Sequence, residues 1–187
     1  MGFRKAPPRT YDNDKLYEYA VGALGRRMRT VAELKRLMRT RVGHQQDGEE
    51  LMDAVIARLK EQRYLNDTQY AASYSAMRRD GQKFGMMRVV QDLKARGVHG
   101  DVIAKTVPQS YEGVSEVEQA RAYLARKRAK QPTDEKQTAR IYRMLVRAGF
   151  SSRSIVTVLR KWNVEEETLS ALEEERAEAE ESSGGEE

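Results

Sequence analysis

The sequence predicts an all-α protein, an elongated tandem of three three-helix repeats built from helix-turn-helix-like units. Three observations support this. Leu37, Leu93 and Leu145 stand at the middle of similar basic helices and are separated by 56 and 52 residues. A period of this size marks supersecondary units laid side by side, which expose a long surface instead of a central pocket. Two of these helices close alike, Leu93-Lys94-Ala95-Arg96-Gly97-Val98 and Leu145-Val146-Arg147-Ala148-Gly149-Phe150. No segment sustains the two-residue alternation of a half-buried strand, whereas three- and four-residue apolar spacing recurs throughout.

Residues 1–11 read as a flexible basic arm held open by Pro7-Pro8. Repeat 1 is expected over residues 12–65. Its first helix starts near residues 12–14 and turns Leu16, Tyr19, Ala20, Ala23, Leu24 and Met28 to one face. Thr30-Val31-Ala32-Glu33 is a capping box, in which hydroxyl and carboxylate satisfy free backbone N–H groups reciprocally. It opens a helix that buries Val31, Leu34, Leu37 and Met38. After a polar loop over 43–48, a third helix over 49–62 places Leu51, Val55, Ile56 and Leu59 inside.

Repeat 2 is expected over residues 66–112. Asp67 suits an N-cap, with Tyr70, Ala71, Tyr74 and Met77 on the following face. Asp80-Gly81 forms a turn, and the next helix carries Met86, Val89, Val90 and Leu93. Gly97 suits the left-handed position just past its end, and a short third helix from Asp101 stops at Pro108. Repeat 3, residues 113–164, begins with a second capping box, Ser115-Glu116-Val117-Glu118, then Ala120, Tyr123 and Leu124. Pro132-Thr133 interrupts. A helix with Ile141, Met144 and Leu145 closes at Gly149, and Ile155, Val158, Leu159 and Trp162 line the last helix. That makes about nine helices. Residues 165–187 form an acidic, partly disordered tail: a brief helix and then disorder, because like charges repel and need no packed partner.

Composition narrows the function. Hydrophobic residues make up 39% and charged residues 34%, enough for several thin helical cores and too little for one thick core. With no cysteine and only His44 and His99, neither disulfides nor a thiolate or histidine-rich metal site is expected. The start lacks the apolar run of a signal peptide and no stretch approaches a membrane span, so a cytoplasmic protein with no membrane partner is expected. The formal charge of +5 divides into −10 over residues 165–187 and +15 over residues 1–164. A basic body with an acidic tail suits a protein that meets nucleic acid.

No catalytic constellation and no cofactor site is legible. There is no phosphate loop, and Ser73, Ser75 and Ser154 lack a histidine base nearby in sequence. Gly97-Val98-His99-Gly100 has the form of an RNA-clamping loop, but without flanking strands it reads as a turn between helices. The informative chemistry is basic. Candidate partner or nucleic-acid contacts are Arg26, Arg27, Arg36 and Arg39 in repeat 1 and Lys83, Arg88, Lys94 and Arg96 in repeat 2. Arg126, Lys127, Arg128, Lys136, Arg140, Arg143 and Arg147 stand in repeat 3. The last four follow at steps of four, three and four, which places them on one helix face. Such a stripe pairs with phosphates or with an acidic protein surface, although some of these charges simply favour helix C-termini. Tyr17, Tyr74, Tyr123 and Tyr142 could stack on single-stranded bases, but tyrosines at helical spacing are more often half-buried core.

Tyr64-Leu65-Asn66-Asp67, followed by Tyr70-Ala71 and Arg78, resembles the RecX family of recombinase regulators. The resemblance continues at Lys94-Ala95-Arg96-Gly97-Val98, at Lys127, and at Arg147-Ala148-Gly149-Phe150 with Ile155 and Leu159. Ala20, Leu24, Arg27, Thr30, Glu33 and Leu34 are similar to the family's opening unit, so the likeness covers about residues 14–162. It implies a non-enzymatic, monomeric regulator that binds the RecA-type recombinase filament, lies in its groove on DNA, and restrains ATPase and strand exchange. Contacts to single- or double-stranded DNA would then run through the backbone. Two departures stand out: Arg63 replaces the glycine common before the aromatic residue, and the acidic extension lies outside the family pattern. A left-handed Arg63 would cost about 1–2 kcal/mol. Two other classes fit the residues alone, a helix-turn-helix transcriptional regulator and a helical scaffold for an unrelated protein. Spread-out basic residues favour non-specific backbone or filament contact over base reading.

Overall fold

The computed structural model describes residues 10–183, and among these it shows ten α-helices and no strand. They are α1 (Asn13–Arg26), α2 (Val31–Val42), α3 (Gly48–Glu61), α4 (Asp67–Met77), α5 (Met86–Ala95), α6 (Gly100–Ser110), α7 (Glu116–Arg126), α8 (Glu135–Arg147), α9 (Ser152–Arg160) and α10 (Glu166–Ser183). Of the expected arm, residues 1–9 lie outside the described residues. Tyr11 is held in place: its N–H donates to Gln45 Oε1 at 2.8 Å and Gln45 Nε2 donates to its carbonyl at 2.9 Å.

One closing device ends five of the helices. In each, a left-handed residue follows within two positions of the cap, and the next N–H donates back to a leucine carbonyl five residues upstream. The pairs are Tyr64 to Leu59, Val98 to Leu93, Ala129 to Leu124, Phe150 to Leu145 and Val164 to Leu159. The left-handed residues are Arg63, Gly97, Arg128, Gly149 and Asn163, with φ between 52° and 86°. This Schellman geometry satisfies carbonyls that the helix end leaves open and brings an apolar residue against the terminal leucine. Gly97 and Gly149 announce it in the sequence. Arg63 and Arg128 adopt it despite a side chain that disfavours it, and Asn163 is a type that tolerates it.

The chain forms two compact units. One comprises the chain up to Ala71 with Leu93–Ile103; the other comprises Ala72–Asp92 with the chain from Ala104. The first has a core of Leu16, Ala20 and Ala23 from α1, Leu34, Met38 and Val42 from α2, and Met52, Val55, Ile56 and Leu59 from α3. Thr30 caps α2 as expected: its hydroxyl oxygen accepts from Glu33 N at 3.0 Å and also donates to the Arg96 carbonyl at 2.8 Å, while the Glu33 carboxylate pairs with Arg96 at 2.6 Å. Asp67 is not the N-cap of α4. Asn66 Oδ1 accepts from Gln69 N at 3.0 Å, while the Asp67 carboxylate reaches back to Val31 N at 2.9 Å, the first turn of α2. Burial pushes the Asp67 carboxyl up, against the opposing hydrogen bond from Val31.

The second unit is built on α7, α8 and α9, whose core includes Tyr123, Leu124, Tyr142, Leu145, Phe150, Ile155 and Leu159. Pro108 does not stop α6, which runs to Ser110. A proline in the last turn removes a single ladder bond, and the following Tyr111 N still donates to the Pro108 carbonyl at 3.0 Å. The turn expected at Asp80-Gly81 is a wide π-type turn, Arg78–Gln82, ending at a left-handed Lys83. The acidic extension also differs from the expectation of a brief, unpacked helix. α10 is eighteen residues long, and Leu169 and Leu172 enter the core of this unit. Those two apolar residues, four and seven positions after Glu165, supply the packed partner that the charge pattern concealed.

Candidate partner-binding surface

In the second unit the chain crosses itself at two glycines. Gly85 N donates to the Ala148 carbonyl at 2.9 Å and Met87 N to the Gly149 carbonyl at 3.3 Å. A side chain at Gly149, whose φ is +86°, would strike the Arg88 backbone and approach Arg88 Cβ to 2.6 Å. This crossing lays the start of α5 on the end of α8. Residues far apart in sequence, Arg88 with Lys127 and Arg147, thereby converge, and Lys83 stands at the left-handed turn that precedes Phe84.

They converge on aromatic rings. Phe84 packs on Tyr123 with centroids 5.9 Å apart, and Tyr123 meets Phe150 edge-on at the same separation. Arg88 stands 5.9 Å from the Phe84 centroid, Arg78 stands 5.5 Å from it, and Lys127 Nζ stands 5.5 Å from Tyr123. These are cation–π distances, at which a ring face holds a cation without neutralising it. Burial pushes the Tyr123 hydroxyl up, while the charges of Arg147 and Arg88 pull it down, which places both guanidinium groups near it.

Asp92 organises one side of the cluster. It accepts from the Tyr74 hydroxyl at 2.9 Å and pairs with Arg78 Nη2 at 3.3 Å. Arg88 Nε lies 3.1 Å from Asp92 Oδ1 but is not aligned for a hydrogen bond, so this buried donor has no aligned acceptor. The Arg88 side chain as a whole is 42% exposed. One carboxylate thus steers two guanidinium groups: Arg78 spends its donors on Tyr74, Gln82 and Asp92, while Arg88 keeps part of its guanidinium exposed.

From Arg147 the positive face continues along α8. Lys136, Arg140, Arg143 and Arg147 are all exposed, on the side opposite Ile141, Tyr142 and Leu145. Arg143 is 3.7 Å from Glu175, and the other three form no ion pair among the described residues. Arg126 and Arg128 are exposed at the end of α7.

The candidates of the first unit are held differently. Arg96 pairs with Glu33 at 2.6 Å, Arg36 donates to the Ala32 and Arg96 carbonyls, and Arg39 pairs with Glu49 at 2.6 Å. Arg26, Arg27 and Lys94 are exposed. Much of this charge is therefore tied to helix packing. The tyrosines follow the core reading: Tyr74, Tyr123 and Tyr142 are buried, and the Arg58 guanidinium lies 3.9 Å over the ring of Tyr17. None of these four offers a bare ring face. Phe84 carries no signal in the sequence beyond its position beside a turn and Asp92 carries none, while Arg78 enters the sequence reading only through the family resemblance; the contacts that give Phe84 and Asp92 meaning join different helices.

Among the described residues no group of three or more His, Cys, Asp or Glu is placed to hold a metal ion, and no helix is long and apolar enough to cross a membrane. Glu116, the buried-side carboxylate of this unit, is occupied structurally. Burial pushes it up, but the hydroxyls of Ser151 and Ser154 and the Ser151 N–H outweigh this and hold it below the usual carboxylate range. What the surface can do is bind an anionic polymer or an acidic protein face.

The sequence and the fold both have relatives. Residues 66–107 match the family model described as RecX, second three-helix domain. The "Regulatory protein RecX" of Chromobacterium violaceum is 30% identical over 140 residues, covering 75% of this chain and 86% of that protein. The "Regulatory protein RecX" of Deinococcus radiodurans is 30% identical over 158 residues, covering 84% and 73%. The crystal structure of RecX from Lactobacillus salivarius shares the fold with a TM-score of 0.65 at 20% identity, over 81% of this chain and 96% of that one.

Proposed function

The chain belongs to the RecX family of regulatory proteins, and from that premise we propose that it binds a RecA-type recombinase assembled on DNA and restrains its ATPase and strand exchange. It acts in the cytoplasm, as a monomer, by occupancy and without bond chemistry. The observation that carries this reading is the convergence of Arg88, Lys127 and Arg147 on the Phe84–Tyr123 pair, extended by Lys136 and Arg140 along α8. A file of cations fixed by ring faces and one carboxylate can follow a line of acidic side chains or phosphates. Several modest contacts along a filament then add by avidity. Long-range attraction to the basic body speeds encounter and weakens with salt.

Inhibition of a purified recombinase ATPase on single-stranded DNA tests this. The wild-type chain is expected to inhibit. Arg140→Glu with Arg147→Glu, both at exposed positions, is expected to inhibit at least tenfold more weakly with unchanged helicity. Equal inhibition by the folded variant removes this face from the account, and no inhibition by the wild type at saturation removes the function.

A further inference from the structure

We propose that α10 is an internal competitor for the α8 face, an acidic helix seated where it suppresses binding of DNA phosphate until that ligand displaces it. This rests on the reading of α8 as an anion-binding face. Three observations place the helix there. Leu169 is fully buried and Leu172 is 8% exposed, so one face of α10 is held by apolar contact with the α7–α9 core. Arg143, the third cation of the α8 stripe, has Glu175 as its ion-pair partner at 3.7 Å. Lys136, the first cation, shares a cleft of about 480 Å³ with Glu135, Glu165 and Glu167.

The seat is weak by construction. Both members of the Arg143–Glu175 pair are more than half exposed, so solvent screens their attraction. A second exposed pair, Arg160 with Glu166, anchors the first turn, and Arg176 Nη1 donates to Ser152 Oγ at 2.9 Å. Few apolar residues support the remainder: after Leu172 the helix runs Glu173-Glu174-Glu175-Arg176-Ala177-Glu178. A structural helix that only completed a core would not need glutamates beside the stripe. A helix that must leave when a stronger anion arrives needs them, together with a small apolar anchor. DNA fits that role better than an acidic protein face, because its regularly spaced phosphates release condensed counterions when the stripe neutralises them, a gain that separate carboxylates on a folded protein do not supply.

The test uses the full-length chain with Glu167→Gln and Glu175→Gln, two exposed positions, and a thirty-nucleotide oligo-dT as probe. Each screened pair shifts an equilibrium by roughly twofold to fivefold, so the double variant is expected to bind the oligonucleotide about fivefold tighter at 50 mM salt. The gap closes at 500 mM. In the wild-type chain, amide exchange over α10 is expected to accelerate when the oligonucleotide saturates. Equal affinity of both proteins, no binding by either, or unchanged α10 exchange overturns the proposal. Displacement of α10 by DNA-free recombinase but not by the oligonucleotide also overturns it, in favour of a protein competitor. Recombinase inhibition is measured separately on the same proteins, so the functional reading can stand while this one fails.

Discussion

Replacing Gly149 with alanine separates the two demands that the crossing makes on the chain. The left-handed backbone, φ +86°, costs a non-glycine residue about 1–2 kcal/mol. An added Cβ also lands on the Arg88 backbone and 2.6 Å from Arg88 Cβ, where nothing flexible can yield. Overpacking of that kind costs about 1–3 kcal/mol. Together these predict a loss of about 2–5 kcal/mol in the unfolding free energy of the second unit, read by urea titration. Two controls apportion the loss. Gly113→Ala meets nothing within 4 Å at φ +71°, so it carries strain alone and is expected to lose about 1 kcal/mol. Gly85→Ala has no positive φ but pushes against Gly149 C at 2.5 Å, so it carries the clash alone and is expected to lose about 1–3 kcal/mol. If Gly149→Ala and Gly85→Ala both unfold within 0.5 kcal/mol of wild type, on the order of an ordinary surface change, the crossing does not exist as described. The convergence of Arg88 with Arg147 then falls with it.

Other consequences follow from single residues. Arg63→Gly relieves a left-handed arginine at the end of α3 and is expected to stabilise the first unit by about 1 kcal/mol in thermal or urea unfolding; a loss there would mean that the side chain has a partner worth more than the strain. Glu116 has a folded-state pKa below its unfolded value, so the unfolded chain binds more protons in acid and stability falls as pH drops through the carboxylate range. Glu116→Gln should flatten that part of the pH–stability profile, and an unchanged profile would assign the acid sensitivity elsewhere. Asp67 has the opposite sign: its raised pKa means that it contributes best while protonated, below its folded-state value, and less as pH rises. Asp67→Asn, which keeps an acceptor for Val31 N, should be neutral or stabilising at pH 7, whereas Asp67→Ala should cost about 1–2 kcal/mol.

The helices were legible wherever local chemistry settles them. Thr30 and Ser115 cap as their boxes indicate, and Gly97 and Gly149 take the left-handed positions their placement requires. The same closing motif is hidden at Arg128, because arginine does not advertise a positive φ, whereas Arg63 stands where the family has glycine and Asn163 is a residue type that tolerates the left-handed region. The signal was there in another form, a leucine five residues before each returning N–H. Pro108 suggests a stop in the sequence, yet a proline in the last turn of a helix removes little. The glutamate-rich extension masked a docked helix, since two leucines among many charges weigh little in composition but decide packing. The candidate surface was half legible. The α8 stripe follows from spacing alone, whereas the gathering of Arg88, Lys127 and Arg147 around the Phe84–Tyr123 pair depends on the backbone contacts of Gly85 with Ala148 and Met87 with Gly149.

Lysine footprinting of the complex tests the central claim most directly. With the chain saturating an assembled recombinase filament, acylation of Lys83, Lys127 and Lys136 should slow at least severalfold, while exposed Lys105 and Lys161 label as in the free protein. Full inhibition of the recombinase with Lys83, Lys127 and Lys136 still labelling at their free rates would contradict it.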